Sequence, residues 1–115
     1  MNPILNQVGA IFIPVSNIEN ARDWYCDMLG IPKDGQILFG HLYILPMEGT
    51  GIVLDSRIYS KENILKVPAF HFNTNDIHAA FEYMKTKNIE LATEIQGNWF
   101  NIKDPDGNHL MVCHC

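Results

Sequence analysis

The chain has 115 residues, of which 47% are hydrophobic and 10% aromatic, a length and composition typical of one domain with an apolar core. Its thirteen acidic and eight basic residues give a net charge of −5 without a basic cluster, which argues against a nucleic-acid partner. There is no apolar run of about 18 residues and no signal-peptide pattern at the start, so we expect no membrane span and a cytoplasmic protein.

The sequence contains an internal repeat. Val8–Asn17, moved by 59 positions, lies over Val67–Asp76, with identical valines and alanines and apolar residues at matching places. We therefore predict a single domain over residues 1–115, made of two repeats, 8–56 and 67–115, linked by 57–66.

The first repeat reads as a strand, a helix and three further strands. Val8–Val15 alternates as a strand does, and Ser16 with Glu19 forms a capping box that opens a helix. Gly30 ends that helix. The further strands predicted are Gln36–Phe39, His41–Leu45 and Ile52–Asp55.

The second repeat follows the same order. Ala69–Thr74 reads as a strand, and Asn75 or Thr74 caps the next helix. The further strands predicted are Glu90–Ile95, Trp99–Lys103 and His109–Cys113, and Asp104–Gly107 forms a turn between the last two. The fold class predicted is α+β, with two βαβββ modules, eight strands and curved mixed sheets that carry their helices on the outer faces. The concave faces are left for a ligand.

The three cysteines do not describe a disulfide framework. Cys26 falls within the first helix as a small buried residue. Strand alternation points Cys113 and Cys115 to one face and His114 to the other. A structural zinc site needs four ligands, so a frayed end is the interpretation that we favour for these last residues.

Three motifs together carry a resemblance to a known family: PVSN at 14–17, the helix I-x-x-A-x-x-W-Y-x-x-x-L-G at 18–30, and DPDGN at 104–108. In this order, within a duplicated frame, they resemble the vicinal oxygen chelate (VOC) superfamily. It includes glyoxalase I, extradiol dioxygenases and bleomycin-resistance proteins. The resemblance implies the βαβββ fold, and it implies a homodimer whose clefts lie between two chains.

Enzymes of this superfamily hold a divalent metal with four side chains. Carried over by the motifs, those four positions fall on Ala10, Val53, Ala69 and Met111. None of these offers an oxygen or imidazole donor, so we predict no metal and no cofactor at this seat. A divalent metal is expected only if His71, Asp55, His109 or His41 converge at a relocated site.

Without a metal, the lining of the cleft decides what it binds. Strand parity places six residues there, which we predict to bind the ligand: Phe12, Tyr43, Asp55, His71, Trp99 and Met111. An aromatic and apolar lining with few polar groups suits a small, planar or partly apolar molecule. The net negative charge favours a cationic one.

Three functions remain open. The first is a metal-free protein that binds a small ligand, with antibiotic binding or resistance as one form of it. The second is a metal-dependent glyoxalase-like lyase or isomerase, or a dioxygenase, with relocated ligands. The third is a metal-free acid–base catalyst that uses His71. The first is the one that we favour, and no residue is assigned as catalytic.

Overall fold

The structure, a computed structural model, describes residues 2–115 and contains seven strands and two helices. In chain order they are β1 Ala10–Pro14, α1 Ile18–Leu29, β2 Leu42–Leu45, β3 Gly51–Asp55, β4 His71–Asn73, α2 Ile77–Thr86, β5 Glu90–Leu91, β6 Trp99–Lys103 and β7 His109–Cys113. The predicted α+β class is confirmed. Neither helix within residues 2–115 is long and apolar enough to cross a membrane.

The strands form two small mixed sheets. The first has the order β1-β3-β2, with β1 parallel and β2 antiparallel to β3. The second has the order β4-β7-β6-β5, with β4 parallel and β6 antiparallel to β7. Helix α1 packs on the first sheet and α2 on the second. We call these two halves the first module, residues 10–55, and the second module, residues 71–113.

Strand alternation separates a helix-facing side from an open side in each sheet. Ile13 and Leu54 on the helix-facing side are fully buried, and so are Phe100 and Leu110 in the second sheet. Tyr25 and Cys26 of α1 are also fully buried, as the helical spacing predicts. The residues of opposite parity line the open sides.

The predicted strand Gln36–Phe39 is wrong, so the structure has seven strands and not eight. Only Leu38 pairs there, through an isolated bridge to Leu42. Phe39 and Gly40 both have positive φ angles, 53° and 78°, and they turn the chain back after that one bridge. Gly35 lies so close to Tyr43 that a Cβ atom would come within 2.6 Å of the hydroxyl oxygen.

The predicted strand Glu90–Ile95 is shorter than expected. Pairing stops after Leu91, because the amides of Ala92 and Thr93 both donate to the carbonyl of Asn101. Two residues then oppose one, as in a β-bulge, and the ladder ends.

Both helix caps lie one residue or more after the predicted positions. Asn17, not Ser16, caps α1, and its side chain accepts from the amide of Asn20. Asp76, not Asn75 or Thr74, caps α2 by accepting from the amide of Ala79. Gly30 ends α1 in the left-handed conformation, as predicted.

The turn between β6 and β7 joins the two modules. The amide of Gly107 donates to the carbonyl of Asp104, which closes the predicted turn. Asn108 is fully buried and donates through Nδ2 to the carbonyl of Pro14 in β1 (2.8 Å). The Tyr25 hydroxyl donates to Asp104 Oδ2 (2.7 Å). Burial raises the pKa of Asp104 above 3.8, and the hydrogen bonds from Tyr25 and Asn108 oppose that rise.

Candidate functional site

The open face of the second sheet holds two rows of paired residues. His71 pairs with Met111, which pairs with Asn101 on the next strand. One pleat further along, Cys113 lies between Asn73 and Trp99. The predicted site residues His71, Met111 and Trp99 therefore share one face.

Two polar atoms on this face have no hydrogen-bond partner within the described residues. They are Asn101 Oδ1 and His109 Nδ1, and both are buried. Buried polar groups are normally satisfied, so orphaned ones need an explanation. They lie on the face that also carries His71 and Met111, where a bound molecule could supply the missing partners.

The open face of the first sheet is apolar. Phe12, Val53 and Ile44 pair across its three strands and form one row. Phe12 is 52% exposed and Ile44 is 55% exposed, although both are large hydrophobic residues. Phe12 thus lies on the open side, as its parity predicts.

A cavity of about 760 Å³ lies between the modules and is lined by residues of both. Its walls are mainly apolar and include Ile11, Ile52 and Phe70. The loop 46–50 and residues 70–73 complete the lining. Of the six predicted ligand-binding residues, His71 is the one that lines this cavity.

Tyr43 does not belong to the cleft, so its predicted place is wrong. It lies on the helix-facing side of β2 with 2% of its surface exposed. Cys26 Sγ of α1 lies 3.8 Å from its hydroxyl oxygen. Burial, followed by the hydrogen bond with Cys26, raises the pKa of Tyr43. The error has a simple cause, because Tyr43 shares the parity of Leu45, and that side of β2 faces the core.

Asp55 is buried at the end of β3 and forms a pair with His41. His41 Nδ1 lies 2.8 Å from Asp55 Oδ1, which also accepts from the amide of Arg57. The carboxylate is therefore occupied within the protein. Its role within the protein is to orient the imidazole of His41, and it is poorly placed to contact a ligand.

The relocated metal site predicted from His71, Asp55, His109 and His41 does not form within the described residues of one chain. Among residues 2–115, one group of three potential ligands is found, and it consists of His71, Cys113 and Cys115. Their ligand atoms lie within 4.8 Å of one another. His71 thus joins the two cysteines, whereas Asp55 and His41 pair with each other.

The expected frayed end is also wrong. Cys113 is buried in β7, and the amide of His114 donates to the carbonyl of Asn98 (2.8 Å). The Asn98 side chain returns a bond to the His114 carbonyl (3.2 Å). Cys113 and Cys115 form a disulfide, which their number and spacing did not predict. The sequence did indicate that Cys113 and Cys115 point to one face of the strand, and that face carries His71.

The usual metal seat of the resembled superfamily can be tested against the residues present. Ala10 and Val53 lie on β1 and β3, Met111 lies on β7, and Ala69 precedes β4. Three of these side chains are hydrocarbon, and the fourth is a thioether. The divalent metal of this superfamily needs carboxylate or imidazole ligands, so these four side chains do not fit a divalent metal.

Solved structures with this fold span almost the whole chain. TnmS3, an antibiotic binding protein from Streptomyces sp. CB03234, matches with a TM-score of 0.71 and 18% identity, covering 97% of this chain and 98% of that one. A lactoylglutathione lyase from Agrobacterium tumefaciens matches with 0.71 and 18%, covering 97% and 95%. A superfamily member from Sphaerobacter thermophilus DSM 20745 matches with 0.70 and 22%, covering 95% and 97%. At these identities the likeness shows the fold alone.

A search of curated proteins found no match to this chain. The family model described as Glyoxalase/Bleomycin resistance protein/Dioxygenase superfamily matches residues 5–112, nearly the whole length. The chain therefore belongs to the Glyoxalase/Bleomycin resistance protein/Dioxygenase superfamily.

Proposed function

We propose that this protein binds a small, partly apolar or aromatic molecule in the cavity between its modules. The observation that carries the proposal is the cavity itself. Its volume of about 760 Å³ falls within the range of small-molecule sites, about 300–1,000 Å³, and its walls are mainly apolar. His71 at its edge connects it to the open face of the second sheet, so a ligand can extend from the cavity toward Met111 and Trp99.

Polar groups on the open face of the second sheet would orient the part of the ligand that extends there. Asn101 Oδ1 accepts hydrogen bonds, and His109 Nδ1 either donates or accepts according to its tautomer. Both are buried without a partner. A ligand with a planar apolar body, a donor for Asn101 Oδ1 and a second polar group for His109 Nδ1 would satisfy both atoms and stack against Trp99.

Binding without a metal at the usual seat follows from the side chains of Ala10, Val53, Ala69 and Met111. An antibiotic is one candidate ligand, since TnmS3 is an antibiotic binding protein of the same fold. The alternative is a lyase activity, since a lactoylglutathione lyase also shares the fold. That alternative needs metal ligands in a new place.

We also propose that the protein is a homodimer and that a second copy covers the row formed by Phe12, Val53 and Ile44. Two large side chains of this row are more than half exposed. Apolar faces of this kind are typical of surfaces that another chain buries. Sedimentation of the wild type and of Phe12→Asp tests the dimer, which the added charge is expected to dissociate.

Calorimetric titration tests the ligand-binding proposal, with bleomycin and a neutral polycyclic aromatic compound as the two probes. We expect one probe molecule per chain and a change in tryptophan emission that Trp99→Phe abolishes. Met111→Ala is expected to weaken binding about tenfold, equivalent to about 1.4 kcal/mol. Phe39→Ala is the matched control, because Phe39 is 83% exposed in a turn and does not line the cavity.

The same preparations are assayed for isomerisation of the hemithioacetal of methylglyoxal and glutathione, with and without added divalent metal. We expect no turnover above background. Turnover that a chelator abolishes, with no binding of either probe, would replace the binding function by the lyase.

A further inference from the structure

The most unusual cluster of side chains in this protein lies between the start of β4 and the end of β7. His71 is exposed on β4, Cys113 is buried on β7, and Cys115 is exposed just beyond it. One ligand atom from each lies within 4.8 Å of the other two. The two sulfurs are bonded to each other in this structure, so they must separate before both can bind one metal ion. The imidazole of His71 already lies close enough to them to share an ion, because zinc bonds are about 2.0–2.3 Å long.

The chemistry of these three residues differs from that of the usual seat. Two thiolates and one imidazole are soft or borderline ligands, which suit zinc and not magnesium or calcium. The family model ends at residue 112, so Cys113 and Cys115 both lie beyond the matched region. The cluster is also distinct from the four positions of the usual seat, Ala10, Val53, Ala69 and Met111.

We propose that His71, Cys113 and Cys115 form a zinc site when the disulfide is reduced. A thiol reductant supplies two electrons and two protons, its own disulfide forms, and the Cys113–Cys115 bond opens to two thiols. Zinc then binds both sulfurs as thiolates, and two protons are released. The imidazole of His71 binds through a nitrogen lone pair and remains neutral.

Three protein ligands leave the fourth position of a tetrahedral ion open, as in catalytic zinc sites. His71 also lines the cavity between the modules, so this position lies near the bound ligand that we propose. Water or a donor atom of that ligand can occupy it. The zinc site does not depend on the proposed function, since zinc alone is the probe of its existence.

Cobalt titration tests the site, because thiolate ligation gives Co²⁺ an intense charge-transfer band that oxygen ligands do not produce. The full chain is reduced with a phosphine, which takes oxygen from water and becomes the phosphine oxide as the disulfide gains two protons. We expect one Co²⁺ per chain, a tetrahedral spectrum, and displacement by one Zn²⁺. The oxidised protein is expected to show no such band.

Three variants separate the site from unspecific binding. Cys115→Ser is used because Cys115 is exposed, whereas Cys113 is buried and its loss could impair folding. We expect Cys115→Ser and His71→Ala each to weaken zinc binding on the order of 100-fold. His114→Ala is the matched control, since His114 lies between the cysteines but outside the cluster, and it is expected to bind as the wild type does.

Four results would overturn the proposal. Three of them are the absence of stoichiometric metal in the reduced protein, equal binding by the oxidised protein, and wild-type affinity in Cys115→Ser. A cobalt spectrum without the thiolate band would have the same effect.

Discussion

Asp104 is a buried carboxylate that accepts four hydrogen bonds. Tyr25 and the side chain of Asn108 donate to Oδ2, and the amides of Asp106 and Asn108 donate to Oδ1. Burial raises the pKa of Asp104 above 3.8 despite these bonds. The folded state thus holds the proton to higher pH than the unfolded state does. The stability that Asp104 contributes is full below pH 3.8 and is lost as the pH rises through its folded pKa.

Tyr25→Phe tests this network. The Tyr25 hydroxyl favours the ionised carboxylate, so its removal raises the pKa of Asp104 further. We expect the free energy of unfolding to fall by about 1.5–3 kcal/mol at neutral pH, the usual range for a hydrogen bond to a charged group. The loss is expected to be smaller below pH 3.8, where Asp104 is protonated in both states. Urea unfolding at several pH values measures it.

Tyr59→Phe serves as the control for this prediction, because Tyr59 lies outside the network and is only partly buried. A loss for Tyr25→Phe that stays the same from acid to neutral pH would contradict the role given to Asp104.

At the scale of single residues, the sequence predicts which residues line the open faces, but it predicts the sites on those faces only in part. Period-two alternation correctly places Phe12, His71, Met111 and Trp99, since their strands keep regular pairing. It fails for Tyr43, because alternation groups Tyr43 with Leu45 but does not say which of the two faces of the strand meets the helix. It also cannot give the His41–Asp55 pair or the disulfide, which depend on how separate segments approach.

Among the elements, β6 and β7 have the bounds that the sequence predicts. Both are regular strands joined by a turn whose Pro and Gly positions are diagnostic. The segment 36–39 fails because Phe39 and Gly40 adopt positive φ angles and turn the chain, which the alternating pattern does not reveal. The predicted helix caps are wrong by one position for a different reason, because neighbouring polar residues such as Asn75 and Asp76 are both good caps.

Asp76→Ala and Asn75→Ala distinguish the two possible caps of α2. Asp76 accepts from the amide of Ala79 at 3.0 Å. We expect its replacement to lower the free energy of unfolding by about 1 kcal/mol, the usual cost of a lost N-cap. Asn75→Ala is expected to change it by less than about 0.5 kcal/mol. Thermal or urea unfolding of the three proteins measures both, and a larger effect at Asn75 would return the cap to the position first predicted.

In the whole molecule, each sheet has its own helix, buried residues of both modules form one apolar core, and specific hydrogen bonds also join the modules. Ser16 donates through its amide to Asp106, and the Tyr83 hydroxyl donates to the carbonyl at the end of α1 on Met28. Asn108 adds the bond to Pro14. These hydrogen bonds tie β1 and α1 of the first module to α2 and the β6–β7 turn of the second.

Asn108→Ala is the strongest test of that coupling. The substitution leaves the Pro14 carbonyl and the Leu65 amide without the partners that the Asn108 side chain now supplies. Each buried orphan costs about 1–3 kcal/mol, so we expect a loss of about 3 kcal/mol in the free energy of unfolding.

Urea unfolding is followed separately through Trp24 in the first module and Trp99 in the second, using Trp99→Phe and Trp24→Phe backgrounds. The two curves are expected to coincide in the native background and to separate in Asn108→Ala, because the modules then unfold independently. Asn63→Ala, which removes only a bond within its own segment, is expected to leave both curves together. Coincident curves in Asn108→Ala would show that the apolar core, and not this side chain, joins the two halves.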